Sequence, residues 1–316
     1  MREQHSTTAM VAIHGGAGVI GRTDMSPQLE RDYREALAAA LEAGNRVLAA
    51  GGPSIDAVVA AVCVMEDSPL FNAGRGAAFT AEGTNELDAA VIDGATLQAG
   101  AVTLVTCVKN PVKLAKVVME RTPHVMLAGA GAEAVARAHE LEIVEPEYFF
   151  TQRRWDALQR MKSAQTLARQ ATVAESDKHG TVGAVALDRA GNLAAATSTG
   201  GRTNKLAGRV GDSPIIGAGT YANNATAAVS ATGEGEYFMR EVAAHTLSAL
   251  MEFKGWSVEQ AAEHVILERL QALGGSGGLI ALDRKGNISM PFSTPGMYRG
   301  CMKVGGAPEI GIFRDN

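Results

Sequence analysis

The chain has 316 residues, 46% of them hydrophobic, and a formal net charge of -5 with a pI near 5.8. That length and apolar fraction suffice for a substantial core in one large domain or two ordinary ones. The mild acidity, without any long run of like charges, excludes the basic footprint of a nucleic-acid or anionic-membrane binder and leaves small polar molecules as the expected partners.

At the N-terminus, MREQHSTTAMVAIHGG holds no apolar segment of signal-peptide length, and no stretch reaches the roughly eighteen apolar residues of a membrane helix. Cys63, Cys107 and Cys301 lie far apart, which argues against a disulfide framework or zinc cluster. A cytoplasmic location is expected. Residues 10–14 (MVAIH) predict a short buried strand running into Gly15-Gly16-Ala17-Gly18. Ser26 and Pro27 are an N-cap and first-turn pair for a helix over 27–50, stopped by Gly51-Gly52. Pro53 starts a second helix through Val64. Residues 69–76 (PLFNAGRG) read as a compact loop, followed by strands near 86–92 and 100–108 and helices near 111–120 and 130–140. Residues 145–178 show no period and predict a loose helix followed by a flexible linker, about 150–178.

After Gly180 the pattern becomes strand-rich. TVGAVALD-RAGN-LAAATST is a hairpin turning at 188–192, and GGLIALD-RKGN-ISMPFST at 277–294 repeats its pattern. Two like hairpins predict two stacked sheets, and helices over 236–253 and 258–270 would cover an outer face, giving an α+β fold of four layers, αββα.

The chain has 36 glycines against 5% aromatics, the glycines clustered at the ends of apolar runs, where backbone must turn tightly or approach something closely. Two clusters imitate nucleotide fingerprints. Gly16-Ala-Gly-Val-Ile-Gly21 follows a strand, but the helix signals wait until Ser26-Pro27, whereas a pyrophosphate needs the helix to open within the glycines. Gly129-Ala-Gly-Ala-Glu-Ala134 enters a helix but lacks a second strand ending in an acid some twenty residues on. An uncut nucleotide-binding protein using Gly129 and Gly131 is the alternative from a different functional class.

Gly180-Thr181 carries more chemistry. A threonine hydroxyl is a weak nucleophile, and its own α-amine can activate it only when the threonine begins a chain. An α-amine has a reference pKa of about 7.7–8.0 and is partly unprotonated near neutrality. Attack of Thr181 Oγ1 on the Gly180 carbonyl would expose that amine, and glycine can adopt the strained backbone the attack requires.

The surrounding residues resemble a known family: 179–188 (HGTVGAVALD), Ser198-Thr-Gly-Gly201, Asn204-Lys205, 208–214 (GRVGDSP), 217–222 (GAGTYA) and Thr232-Gly233, with IHGGAG at 13–18, PLFNAGRG at 69–76, ELDAAVIDG at 86–94 and AGAV at 99–102. Together they look like the plant-type asparaginase/isoaspartyl aminopeptidase family of N-terminal-nucleophile hydrolases, over all but the linker and the last dozen residues.

The resemblance implies autocleavage at Gly180-Thr181 into an α part (1–180) and a β part (181–316) that form one structural domain and assemble as a homodimer of αβ pairs. It implies Thr181 as nucleophile, Thr199 bonded to it, Thr232 and Gly233 as the oxyanion hole, and Asn72 near the nucleophile and important for maturation. Arg209 would take a substrate α-carboxylate and Asp212 an α-ammonium, beside the carbonyls of Gly233 and Gly235. The substrates implied are L-asparagine and β-aspartyl dipeptides, with no catalytic cofactor. A structural sodium ion would be held by the main-chain carbonyls of Met65, Glu66, Ser68, Phe71, Ala73 and Arg75.

Three positions depart from the pattern or add to it. Glu234 puts a carboxylate beside the oxyanion glycine and is expected to disfavour acidic leaving peptides. Ala207 replaces a common proline and is expected to loosen the loop carrying Arg209. His179 precedes the cut and is read as a spectator, as His14 is read as structural. A glycosylasparaginase-like amidase is the related alternative, disfavoured because aspartate usually precedes the nucleophile there. A non-catalytic amino-acid binder is the third.

Overall fold

The computed structural model describes residues 8–18, 21–22, 25–168 and 180–314. In chain order its first part runs β1 (Met10–Gly18), α1 (Pro27–Ala49), α2 (Ser54–Glu66), β2 (Leu87–Asp93), β3 (Ala99–Val105), α3 (Pro111–Arg121), β4 (Met126–Ala128), α4 (Gly129–Ala138) and α5 (Gln152–Ala168). Its second part runs β5 (Val182–Leu187), β6 (Leu193–Thr199), β7 (Thr220–Ala222), β8 (Ala227–Gly233), α6 (Gly235–Glu241), α7 (Ala243–Lys254), α8 (Val258–Glu263), α9 (Leu270–Ala272), β9 (Gly277–Asp283), β10 (Ile288–Ser289), β11 (Gly296–Lys303) and β12 (Glu309–Phe313).

These strands form an eight-stranded sheet, ordered β12-β11-β1-β5-β6-β2-β3-β4, and a four-stranded sheet, β10-β9-β8-β7. The period-2 alternation of each central strand assigns its two faces. On β1, Val11 and Ile13 join the core under α1 and α2, whereas Met10 and Ala12 point the other way and meet Ile280 and Leu282 of β9. On β5, Val182, Ala184 and Ala186 take the helix side, and Val185 and Leu187 the inter-sheet side. The outer face of the small sheet, Val229, Ala231, Leu279 and Ala281, packs on Phe238, Leu247, Val265 and Ile266 from α6 to the segment after α8. Helix, sheet, sheet and helix therefore stack as the αββα pattern requires. The two similar hairpins sit one in each sheet, β5-β6 and β9-β10, antiparallel in both.

Local chemistry explains most boundaries. The Ser26 hydroxyl accepts the Leu29 N–H at 3.2 Å and Pro27 opens α1. The single helix expected over 236–253 is broken at Val242, whose φ is 49°. That break lets the N–H groups of Ala244 and His245, which open α7, donate to the carbonyls of Ala218 and Gly217 at 3.1 and 2.8 Å.

A second difference concerns the expected linker. Residues 152–168 form α5, anchored by the fully buried Leu158 and by Trp155 in edge contact with Phe79, ring centroids 5.3 Å apart. The rest of that stretch, 169–179 with His179, lies outside the described residues. β11 and β12, which no sequence signal announced, complete one side of the large sheet by pairing with β1 and with each other.

Candidate active site

Six residues from separate parts of the second half line one cavity: Thr181, Thr199, Arg209, Asp212, Gly233 and Gly235. Thr181 leads into β5 and Thr199 ends β6, and the antiparallel register pairs Val182 with Ser198, so the two threonines emerge side by side. The Thr181 hydroxyl donates to Thr199 Oγ1 at 3.2 Å, and the Gly201 N–H donates to that same oxygen at 3.0 Å. Thr181 is only 7% exposed.

The predicted cleavage position is enclosed. A Cβ on Gly16, at the bulge of β1, would fall 2.6 Å from Gly180 Cα, and that glycine has φ 109°. A Cβ on Gly180 would fall 3.0 Å from Asn72 Cβ. Asn72 itself bonds to the turn behind Thr199: its Nδ2 donates to the Gly201 carbonyl at 2.6 Å, its Oδ1 accepts the Ala78 N–H at 2.7 Å, and its carbonyl accepts the Gly200 N–H at 3.0 Å. It thus braces the site from behind.

Thr232, fully buried on β8, accepts the Ala17 N–H at 3.2 Å. That bond occupies a lone pair and leaves the hydroxyl proton available for donation. The next residue, Gly233, has φ 153°, and a Cβ there would meet the Ser276 carbonyl at 2.5 Å, so glycine is required where the strand leaves the sheet.

Charge is arranged at the other end of the cavity. Arg209 donates through Nε and Nη2 to Glu236 Oε1 at 3.0 and 2.8 Å. Asp212 is buried, its Oδ2 has no hydrogen-bond partner among the described residues, and burial pushes its carboxyl up to about 7 against the pull of backbone hydrogen bonding and Arg209. A Cβ on Gly235 would fall 2.8 Å from Asp212 Oδ1 and 3.0 Å from Arg209 Nη2. Glycine at 235 is therefore what lets the backbone approach both the guanidinium and the carboxylate without a clash.

Several contributors carried no recognisable signal as single residues. Lys205, its side chain 1% exposed, donates to the Glu86 carbonyl at 3.1 Å and lies 3.5 Å from that residue's carboxylate, which also accepts the Gly208 N–H. Asp88 lies buried nearby, its carboxyl raised to about 6 by desolvation and pulled back by Lys205. These groups tie the loop of Arg209 to the first half of the chain. Ala207 is exposed in that loop, which is closed by Arg209 N–H donating to the Leu206 carbonyl at 3.0 Å. Glu234 turns its carboxylate onto Ser276, accepting the backbone N–H at 3.1 Å and the hydroxyl at 3.3 Å. His14 Nε2 lies 2.8 Å from Ser230 Oγ, and burial holds the imidazole down to about 3, so it is neutral. From Ser230 a chain of hydroxyls continues to Thr197 at 2.7 Å and Thr220 at 2.6 Å, filling the space between the sheets.

Among the described residues no group of three or more His, Cys, Asp or Glu side chains is placed to hold a metal. The loop after α2 offers carbonyls instead. Gly74 and Gly76 lie so close that a Cβ on either would strike the carbonyl oxygen of Glu66 or Phe71. The Ala73 carbonyl accepts one backbone N–H, from Gly76, and keeps a second lone pair. Oxygen donors of this kind suit a hard cation. The three cysteines are free, and no described helix is long and apolar enough to cross a membrane.

Known proteins resemble this chain over nearly its whole length. Residues 7–312 match the asparaginase family. The isoaspartyl peptidase of Escherichia coli (strain K12) is 55% identical over 310 residues, 97% of each chain. That of Salmonella typhimurium is 52% identical over 97% of this chain and 99% of its own. A probable isoaspartyl peptidase/L-asparaginase 2 of Arabidopsis thaliana is 39% identical over 96% of this chain and 98% of its own.

Proposed function

This chain belongs to the asparaginase family, and from that premise we propose that it is a threonine amidohydrolase, matured by its own cleavage, that hydrolyses L-asparagine and β-aspartyl dipeptides. The observation that carries the proposal is the convergence of Thr181, Thr199, Arg209, Asp212, Gly233 and Gly235 on one cavity, with the first two in hydroxyl contact.

Maturation begins when Thr181 Oγ1 attacks the Gly180 carbonyl carbon. The acyl group moves from nitrogen to oxygen, water opens the resulting ester, and the chain parts into residues 1–180 and 181–316. In turnover the freed α-amine of Thr181 accepts the hydroxyl proton as Oγ1 attacks the side-chain carbonyl of the substrate. The oxyanion is met by the Thr232 hydroxyl, oriented by the Ala17 N–H, and by the Gly233 N–H. The proton passes to the leaving nitrogen, which departs as ammonia or a peptide amine. Water then hydrolyses the β-aspartyl ester and releases aspartate.

Arg209 binds the α-carboxylate and Asp212 the α-ammonium, which both substrate types share. The amide to be cut is thereby held over Thr181. A structural sodium ion on the carbonyls of Met65, Glu66, Ser68, Phe71, Ala73 and Arg75 would stiffen the loop that carries Asn72; it supplies no chemistry to either reaction. A homodimer of cleaved pairs in the cytoplasm, where free cysteines stay reduced, completes the reading.

A denaturing gel of the purified protein is expected to show two fragments, the smaller beginning Thr-Val-Gly-Ala on N-terminal sequencing. Thr181→Ala is expected to remain one chain and to be inactive. Full activity from a chain still joined at Gly180-Thr181 would refute the mechanism.

A further inference from the structure

Two guanidinium groups line the cavity at Thr181, and binding of an amino-acid zwitterion uses only Arg209. The second belongs to Arg202, on the turn that follows Thr199-Gly200-Gly201. Its side chain is 30% exposed against 18% for Arg209, which sets it nearer the mouth. Both converge on Glu236: Arg209 through two nitrogens on Oε1 at 3.0 and 2.8 Å, Arg202 through Nη1 alone on Oε2 at 3.4 Å. One carboxylate between two guanidinium groups leaves the trio with an excess positive charge. The Arg202 contact is single, long and partly solvated, the kind that contributes little and exchanges readily.

A β-aspartyl dipeptide carries a carboxylate that L-asparagine lacks, the α-carboxylate of the amino acid to be released. With the aspartyl α-groups held at Arg209 and Asp212 and the amide over Thr181, that released half extends toward the open side of the cavity. We propose that Arg202 is a specificity residue for the leaving half, its guanidinium binding the free C-terminal carboxylate of β-aspartyl dipeptides. Glu236 positions it, holding the guanidinium at the mouth by one edge while the other faces the incoming carboxylate. This inference rests on the function proposed above and assigns the substrate class that the site favours.

The test compares kcat/KM of the mature enzyme for β-aspartyl-leucine, for its C-terminal amide and for L-asparagine. Wild type is expected to prefer the free acid over the amide by about tenfold to a hundredfold, the range of a charge-assisted hydrogen bond. In Arg202→Met that acid-to-amide ratio is expected to collapse toward one through a rise in KM for the acid, and Arg202→Lys to recover part of it. The inference is overturned if wild type treats acid and amide alike. It is also overturned if Arg202→Met loses activity equally on all three substrates, since the ratio would then survive and Arg202 would act only as a structural partner of Glu236. Absence of wild-type turnover on every substrate would instead strike the proposed function itself, and this inference with it.

Discussion

At the scale of single residues, the site depends on groups whose ordinary behaviour has been changed by burial. Asp212 is the clearest. Its carboxyl is pushed up to about 7, yet the proposed function needs it ionised to pair with a substrate ammonium. As pH falls through 7 the carboxylate is lost, and so is the attraction for substrate. In the proposed matured chain the Thr181 α-amine, with a reference value of about 7.7–8.0, would lose its capacity as a base over a neighbouring range. Two such groups should make log kcat/KM fall with a slope approaching two on the acid side. Asp212→Asn should lower kcat/KM throughout and leave a slope near one, and a slope unchanged from wild type would remove Asp212 from ammonium binding. Thr181, Arg209 and Asp212 were legible as candidates in the sequence through the family motifs that surround them, and the fold brings all three to one cavity. Arg202 and Glu236 were not: an arginine on a glycine-rich turn and a glutamate at the start of a helix are ordinary surface residues until folding points them at each other.

At the scale of elements, strand register and loop anchoring deliver those residues. β1 is the instructive case. Its bulge brings Gly16 against Gly180 and Ala17 against Thr232, so one strand end touches both the proposed cleavage position and the proposed oxyanion site. Gly16→Ala should crowd Gly180 and also strain a φ of 109°, and freshly purified protein should stay largely uncut on a denaturing gel. Cleavage as complete as in wild type would show that this contact does not govern maturation. The loop of Arg209 depends on Lys205 in the same way. Removing one partner of a buried ion pair typically costs about 3–5 kcal/mol. Lys205→Met should therefore lower the thermal midpoint by about 6 °C or more, with Asp88→Asn in that background restoring part of the loss. An unchanged midpoint would mean the charges are solvated after all. β1, α1, α2 and the two hairpins could be read from alternation, caps and turn residues. β11, β12 and the break at Val242 could not, because they answer to partners distant in the chain: β1 for the strands, and the carbonyls of Gly217 and Ala218 for the start of α7.

For the whole molecule, the large sheet interleaves the two halves on either side of Gly180. β1 lies between β11 and β5, and β6 is paired with β2, so three ladders join residues before Gly180 to residues after it. The helix-side core is likewise shared, with Val11, Ile13, Val91, Val182 and Ala196 in one cluster. The two fragments of a cleaved chain should therefore co-elute on size exclusion and melt in a single transition; fragments that separate without denaturant would contradict this architecture. The layered fold follows from the sequence because period-2 alternation and a repeated hairpin are local signals that fix which face each strand buries. The motifs around Gly180-Thr181 likewise marked the family by themselves. Tertiary structure alone decided what surrounds that chemistry: the brace of Asn72, the Ala17 N–H on Thr232, the Lys205 tether and the guanidinium at the mouth. Each depends on a distance between segments far apart in the chain, and such distances are set by how sheets pair and pack.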